Sequence, residues 1–425
     1  MAALFPTDRL VALQHRNFRL FWLGQFSSTV GVQMQVIGIN WHVYELLRDS
    51  PFTVTVFGYT LDLNAGALGL GGLGLARLLP ILLLAVPGGM LADTRNRRRL
   101  LMGTQALGGL IAALLAGLAL AGLASVPVLY LAAAAAGALL ALESPSREAI
   151  TPNLVPRQHL LNAMSLYTMM NTFGTIAGPL LAGAILARGE IGFVYALAAL
   201  TFAPALATLL RMDDPSAPAA ARPRWNWAGV REGFRFTRGA RVIWGTLWLD
   251  FLATLLGSAR TLLPIVADQL LGVGAAGYGL LATAQPVGAV IAGTLVSLRR
   301  RLVHQGLIFL VCIAVYGAAT ALFGLSTLFA LSYLLWSATG AADTVSSIIR
   351  GAIRQASTPD ELRGRMVGVN MIFFMGGPQL GEVRAGLVAA AFGVPFAIVS
   401  GGLAVVGMTA WAAWRYPRLR RYVGE

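Results

Sequence analysis

Twelve apolar runs, each long enough to cross a bilayer as a helix, constrain this chain more than any other feature. They fall at 20–44, 66–92, 100–123, 127–147, 161–187 and 191–211, and again at 242–268, 276–298, 303–325, 327–350, 366–391 and 394–415. A transmembrane helix needs about 20 predominantly apolar residues. Only 12% of the residues are charged and the mean hydropathy is +0.70, whereas a soluble domain carries about 25% charged residues. Inside hydrocarbon each segment must satisfy its own backbone polar groups, which makes helices of runs this long. The expectation is an all-α membrane protein of six plus six spans.

The 32 basic residues are all arginine, and they gather in alternate loops. Arg9, Arg16 and Arg19 precede the first run, Arg95 to Arg99 follow the second, and Arg147 and Arg157 follow the fourth. On the opposite side stand only Arg48 and Arg188, while Arg77, Arg260 and Arg384 lie within runs. Positive residues stay in the cytoplasm, so both termini are expected there, with the protein in the inner membrane. The net charge of +14 then reports topology, and no nucleic-acid partner is expected.

The chain has no lysine, so it lacks the Gly-rich loop ending in Lys that an ATP-driven P-loop pump requires. Energy must come from a gradient or a partner. The single cysteine, Cys312, lies in an apolar run and is expected to pack there, with no disulfide framework. His15, His42, His159 and His304 lack metal-ligand spacing, and no nucleophile-elbow motif occurs. Neither an enzyme, a metal site nor a cofactor is expected. Met1 to Leu20 is basic, without the short apolar core and cleavage site of a signal peptide.

A Pro- and Ala-rich stretch from Arg211 divides the chain into halves at 1–211 and 242–425, joined by a linker at 212–241. Within it, Trp225 to Arg241 alternates aromatic and Arg residues at near-helical spacing, which fits an interfacial amphipathic helix or a solvated loop. The halves resemble each other. A shift of 203 positions places Arg147 on Arg350, Pro156 on Pro359, Gly178 on Gly381 and Gly183 on Gly386. Parallel repeats of this kind build one large class of transporters, with the substrate site near mid-membrane. The segment Ser50 to Asn64 is polar and β-branched and stands as an extracytoplasmic insertion without an assigned role.

The most specific local pattern is Gly89-Met90-Leu91-Ala92-Asp93-Thr94-Arg95-Asn96-Arg97-Arg98-Arg99-Leu100. It resembles the signature of the major facilitator superfamily between helices 2 and 3, with Asn96 where the signature often has Gly. Asn tolerates a left-handed turn, so that backbone is expected at Asn96. The resemblance implies two six-helix bundles around a central cavity, and a cytoplasmic latch formed by Gly89, Asp93, Arg97 and Arg98. Arg147 to Leu166, with Pro152 to Arg157 and Asn162, and Thr358 to Arg365 are similar to the exporter branch that includes enterobactin exporters and macrolide efflux pumps. That implies export of a small amphipathic molecule by alternating access.

Charges inside spans are costly, roughly 2.5–3.5 kcal/mol at a helix centre, and are functional candidates by default. Glu382 and Asp343, then Asp250, are candidates for proton coupling, which needs a carboxylate able to gain and lose a proton at working pH. The alternative is that each neutralises a buried arginine. Glu143 with Arg147, and Asp343 with Arg350, share helix faces and read as latches. Arg77 and Arg260 are candidate substrate ligands or counter-ions. Trp41, Tyr167, Met170, Asn171 and Gln285 are candidate cavity residues or packing positions. Glycine–proline pairs at Gly178-Pro179 and Gly377-Pro378 permit bending or close packing. A proton antiporter acting as a monomer in contact with membrane lipid is the leading expectation, against a lipid or lysolipid flippase and a non-transporting membrane receptor.

Overall fold

The computed structural model describes residues 7–56, 59–213, 227–299, 303–358, 363–420 and 422. A 3-10 segment at Thr7–Gln14 leads into α1 (Arg16–Leu47). The hairpin β1 (Pro51–Val56) and β2 (Tyr59–Asn64) follows, then α2 (Ala65–Thr94), α3 (Arg97–Leu120), α4 (Val126–Ile150), α5 (Leu160–Leu186) and α6 (Ile191–Arg211). The second half holds α7 (Trp227–Gly239), α8 (Arg241–Gly257), the short α9 (Leu263–Ile265), α10 (Gly274–Ser297), α11 (Gln305–Leu325), α12 (Phe329–Ser357), α13 (Arg363–Phe392), α14 (Val394–Arg415) and α15 (Pro417–Arg420).

Among the described residues, 9 helices are both long and apolar enough to cross a membrane. The three other long helices, α1, α12 and α13, have the length but carry more polar side chains. These include Gln25, Gln35 and Asn40 in α1, Asp343 and Arg350 in α12, and Gln379, Glu382 and Arg384 in α13. With them the spans number twelve, as the apolar runs predict. Large side chains such as Leu83, Leu131 and Leu334 stand exposed along the spans. In water they would form adhesive patches, whereas here they are the surface that lipid tails cover.

Two expectations need correction, and the insertion after α1 takes a form: it is an antiparallel hairpin pairing Pro51 with Asn64 through Val56 with Tyr59. The run of Thr and Val residues, which favours extended backbone, is the signal that was available. The seventh span is not one helix. It breaks after Gly257, where Ser258 is extended, and resumes as a 3-10 turn (Arg260–Leu262), α9 and a π-helical turn (Val266–Leu270). Pro264 sits at the start of α9, where its missing N–H costs little. Finally, Asn96 is extended (φ −64, ψ 113), not left-handed, because its side chain caps α3 by accepting the Arg99 N–H at 3.0 Å.

The chain forms two compact units, Met1–His42 with Leu79–Arg224, and Val43–Leu78 with Trp225–Glu425. In the first, α3 packs on α6 and α4. Gly24, Gly31 and Gly38, seven residues apart on α1, face α6; a Cβ on Gly31 would lie 2.9 Å from the Ala198 carbonyl. Small residues permit such approach where lipid supplies no hydrophobic drive. Phe18, Phe21, Leu101, Ile150 and Leu209 form this unit's core. In the second unit, α11 packs on α14 and α12, α10 on α12, α8 on α13, and β2 against α13. Its core includes Ile243, Leu247, Phe309, Ile349 and Val405. The stretch 43–78, which the sequence reading places in the first half, belongs to this second unit. The linker residues 214–226 lie outside the described residues.

Candidate functional site: two arginine clusters and a helix seam

In the second unit, Arg350 of α12 forms a direct ion pair with Asp250 of α8, and both side chains are buried. Asp343, two turns earlier on α12, approaches the same guanidinium at 3.9 Å, yet its side chain is 50% exposed. Arg350 thus faces two carboxylates, and Arg354, one turn further on, also acts on Asp250. A small recess with room for about one water opens here, lined by Asp250, Thr254, Cys312, Tyr316, Asp343 and Ser346. The Ser346 hydroxyl is buried without a hydrogen-bond partner. The Thr254 hydroxyl donates to the Asp250 carbonyl at 2.9 Å, which leaves it unavailable as a donor to a ligand in the recess.

A related cluster occupies the first unit. Arg147 of α4 lies 3.5 Å from Glu143, one turn earlier, and 3.5 Å from the Gln25 side-chain oxygen of α1. Gln105 of α3 donates to Glu143 at 2.8 Å. Here one arginine contacts one carboxylate, and the neighbouring Glu148 acts on it more weakly.

The internal repeat relates the two clusters. Gly178 of α5 packs on Val30 and Gln33 of α1, while its repeat partner Gly381 of α13 packs on Leu255 of α8 and on Ser258 just past its end. Five residues before Val30 stands Gln25, and five before Leu255 stands Asp250. Arg147–Gln25 and Arg350–Asp250 are therefore the same contact made twice. On the arginine helices the 203-residue shift turns Glu143 into Ser346 and Leu140 into Asp343. The Asp250–Arg350 pair escaped the sequence reading, although the repeat carried the signal once the α1–α8 equivalence was known.

The third feature is a seam of α2 against α13, also within the second unit. A Cβ on Gly71 would lie 2.9 Å from the Gly386 Cα, and one on Gly74 would lie 2.9 Å from the Glu382 Cβ. Arg77 stands 3.9 Å from Glu382, with Glu382 buried and Arg77 mostly so. Arg260, exposed in the broken seventh span, acts electrostatically on the same carboxylate. Further along, the Thr261 hydroxyl donates to the Leu70 carbonyl at 2.9 Å, and the Tyr44 hydroxyl donates to Asp268 at 2.5 Å. Arg77 is thus a counter-ion of Glu382.

The remaining candidates separate clearly. Arg97 donates to the Ala149 carbonyl, and Arg98 to those of Leu209 and Leu210. Both hold helix ends of their own unit, where exposed carbonyls attract cations. The Asp93 side chain lies outside the described residues. A Cβ on Gly89 would meet nothing within 4 Å, whereas one on Gly88 would meet the Ala141 carbonyl, so Gly88 is the close-packed position. Met170 at 0% and Trp41 at 7% exposure are buried. Tyr167 stacks on Phe21, Asn171 donates to the Tyr167 carbonyl, and Gln285 donates to Thr339. Arg384 donates to the carbonyls of Leu256 and Ala397, a clamp between helix ends. Gly377 packs on Phe251, as Gly178 packs on α1, while α5 and α13 run on without interruption. Pro152 to His159 forms two short 3-10 turns, and Pro359 to Leu362 lie outside the described residues.

Comparison with known proteins decides the family, because the model for transmembrane secretion effectors matches residues 7–421. The chain belongs to the major facilitator superfamily. It is 28% identical over 403 residues to the enterobactin exporter EntS of Salmonella choleraesuis, covering 93% of this chain and 91% of that protein. The enterobactin exporter of Escherichia coli O1:K1 matches with the same figures. Among solved structures, a D-xylose–proton symporter superposes with a TM-score of 0.70 at 16% identity, covering 94% of this chain and 97% of that one. A bacterial homologue of the lysosomal transporter Spinster, inward-facing and unoccupied, gives 0.65 at 17% identity, with 96% and 97% covered. At these identities the structures establish the major facilitator fold. The chain is a multi-pass membrane transporter of a small molecule and not an enzyme.

Proposed function

We propose that this transporter exports a small amphipathic compound, siderophore-like or drug-like, across the inner membrane by alternating access while protons move inward. Both termini face the cytoplasm in this reading. The enterobactin exporters among its relatives support the direction and the substrate class.

The observation that carries the coupling is the sharing of Arg350 by two carboxylates, Asp250 in direct contact and Asp343 at 3.9 Å on the open side, while Arg354 acts on Asp250 from one turn further along. Burying an unpaired charge costs several kcal/mol or more, so such a group is neutralised when water leaves. Asp250 keeps Arg350 as its partner. Asp343, exposed on the recess, is the carboxylate that exchanges its proton. Glu382, which led the sequence reading, is better suited to closing the outer end of the transporter, where Arg77 and the Gly71–Gly386 contact hold α2 on α13. That seam must part for release outside.

The test uses inverted vesicles containing the purified chain and a panel of dyes, antibiotics and catechol siderophores. Uptake should rise with an imposed proton gradient. In Asp343→Asn the gradient effect should vanish while downhill exchange of the same compound persists. Gradient-driven uptake that survives the substitution contradicts the assignment of Asp343.

A further inference from the structure

We infer that the exposed face of α7 is a binding surface for anionic phospholipid headgroups, and that this contact steadies the α7–α8–α13 corner of the second unit. The inference does not depend on the substrate or on the coupling ion.

The helix carries Arg231, Arg235 and Arg238 against one acid, Glu232. Spacings of four and three residues place the three arginines on one helix face, and all three are exposed. The opposite side is packed. Thr237 is fully buried and Phe236 joins the apolar core of the unit, while α7 as a whole rests on α13 and α8. Phe234, 42% exposed, stands at the edge of the basic face, where an interfacial helix places an apolar side chain.

The position along the membrane normal follows from the chain. The helix ends at Gly239, and the adjoining apolar span begins at Val242. Trp244 and Trp248 occupy the first turns of that span, the level at which aromatic side chains mark the membrane boundary. Phe234 meets Trp244 edge-on at 5.4 Å, and Trp244 meets Phe373 of α13 at 5.9 Å. The basic face therefore lies at headgroup depth. Its chemistry, three exposed arginines on one helix face, fits phosphate anions of lipids. An attachment there is transmitted by packed rings to the helix that also bears Glu382.

Each basic residue near an anionic surface favours attachment by roughly fivefold, an effect that salt screens. The full chain would be placed in nanodiscs of mixed phosphatidylcholine and phosphatidylglycerol, and the lipids retained after gentle release would be counted by native mass spectrometry. The wild type should retain phosphatidylglycerol in preference, and the variant carrying Arg231→Gln, Arg235→Gln and Arg238→Gln should lose at least tenfold of that preference. The matching Arg→Lys variant should keep most of it, which separates lost charge from lost folding. Equal preference in wild type and the Gln variant would overturn the inference. So would binding of an acidic peptide to the same face with no lipid preference.

Discussion

Arg147 in the first unit and Arg350 in the second make the same inter-helix contact, and the difference lies in what surrounds it. Around Arg147, Glu143 is held by Gln105 and a neutral Gln25 stands across the gap, with Glu148 acting on the arginine from further off. Around Arg350 the carboxylate has moved across to Asp250, Ser346 replaces the acid one turn away, and Asp343 adds a second negative charge. The repeated clamp carries its carboxylates in different places: Glu143 on the arginine's own helix in the first unit, Asp250 across the gap and Asp343 two turns away in the second. Three repeat positions, Gln25 against Asp250, Glu143 against Ser346 and Leu140 against Asp343, separate the two clusters.

The largest test of this contrast is to remove each arginine. Arg350→Gln strands a buried carboxylate, and breaking a buried pair in this way costs about 3–5 kcal/mol. The variant should show sharply reduced expression and thermal stability in detergent. Arg147→Gln leaves Glu143 its Gln105 hydrogen bond, so the loss should be nearer 1–3 kcal/mol. Equal losses in a thermal-shift assay would erase the asymmetry.

A second test rebuilds one cluster in the image of the other. The double variant Asp343→Leu, Ser346→Glu restores a carboxylate one turn from Arg350 and removes the exposed acid. It should fold and bind substrate but show no proton-gradient effect in vesicle uptake. A gradient effect that persists would place coupling elsewhere, with Glu382 next in line.

The seam and the recess allow finer tests. Gly386→Leu pushes a side chain into the α2 backbone, where a Cβ alone would lie 2.8 Å from the Ala67 carbonyl. The seam should then fail to close, and cysteines introduced along it should become reactive toward an impermeant thiol reagent added from outside. The smallest effect is expected from Thr254→Val, which deletes one hydroxyl-to-carbonyl bond near Asp250 and should cost about 1 kcal/mol with coupling intact.

The twelve spans were legible because crossing hydrocarbon imposes length and apolarity on a continuous stretch of residues. The family was legible at Gly89 to Leu100. The hairpin at 51–64 was hidden because a short strand pair has no comparable length signature, although Thr53 to Val56 carried β propensity. The break after Gly257 was hidden because Leu262 to Ala267 remains apolar whether helical or not. Among the charges, the pairings of Arg77 with Glu382 and Arg350 with Asp250 join helices far apart in sequence, so spacing could not reveal them. Spacing did find Glu143–Arg147 and the shared face of Asp343 and Arg350, which are local. Met170 and Trp41 read as cavity residues by type, and only packing shows that they are buried.

The most direct test of the account measures protons and substrate together. Purified wild type, Asp343→Asn and Glu143→Gln would be reconstituted in vesicles enclosing a pH-sensitive dye, and proton flux would be recorded as substrate moves down its own gradient. The account predicts opposed proton movement in wild type and Glu143→Gln and none in Asp343→Asn. Proton movement that persists in Asp343→Asn, or disappears in Glu143→Gln, would contradict it.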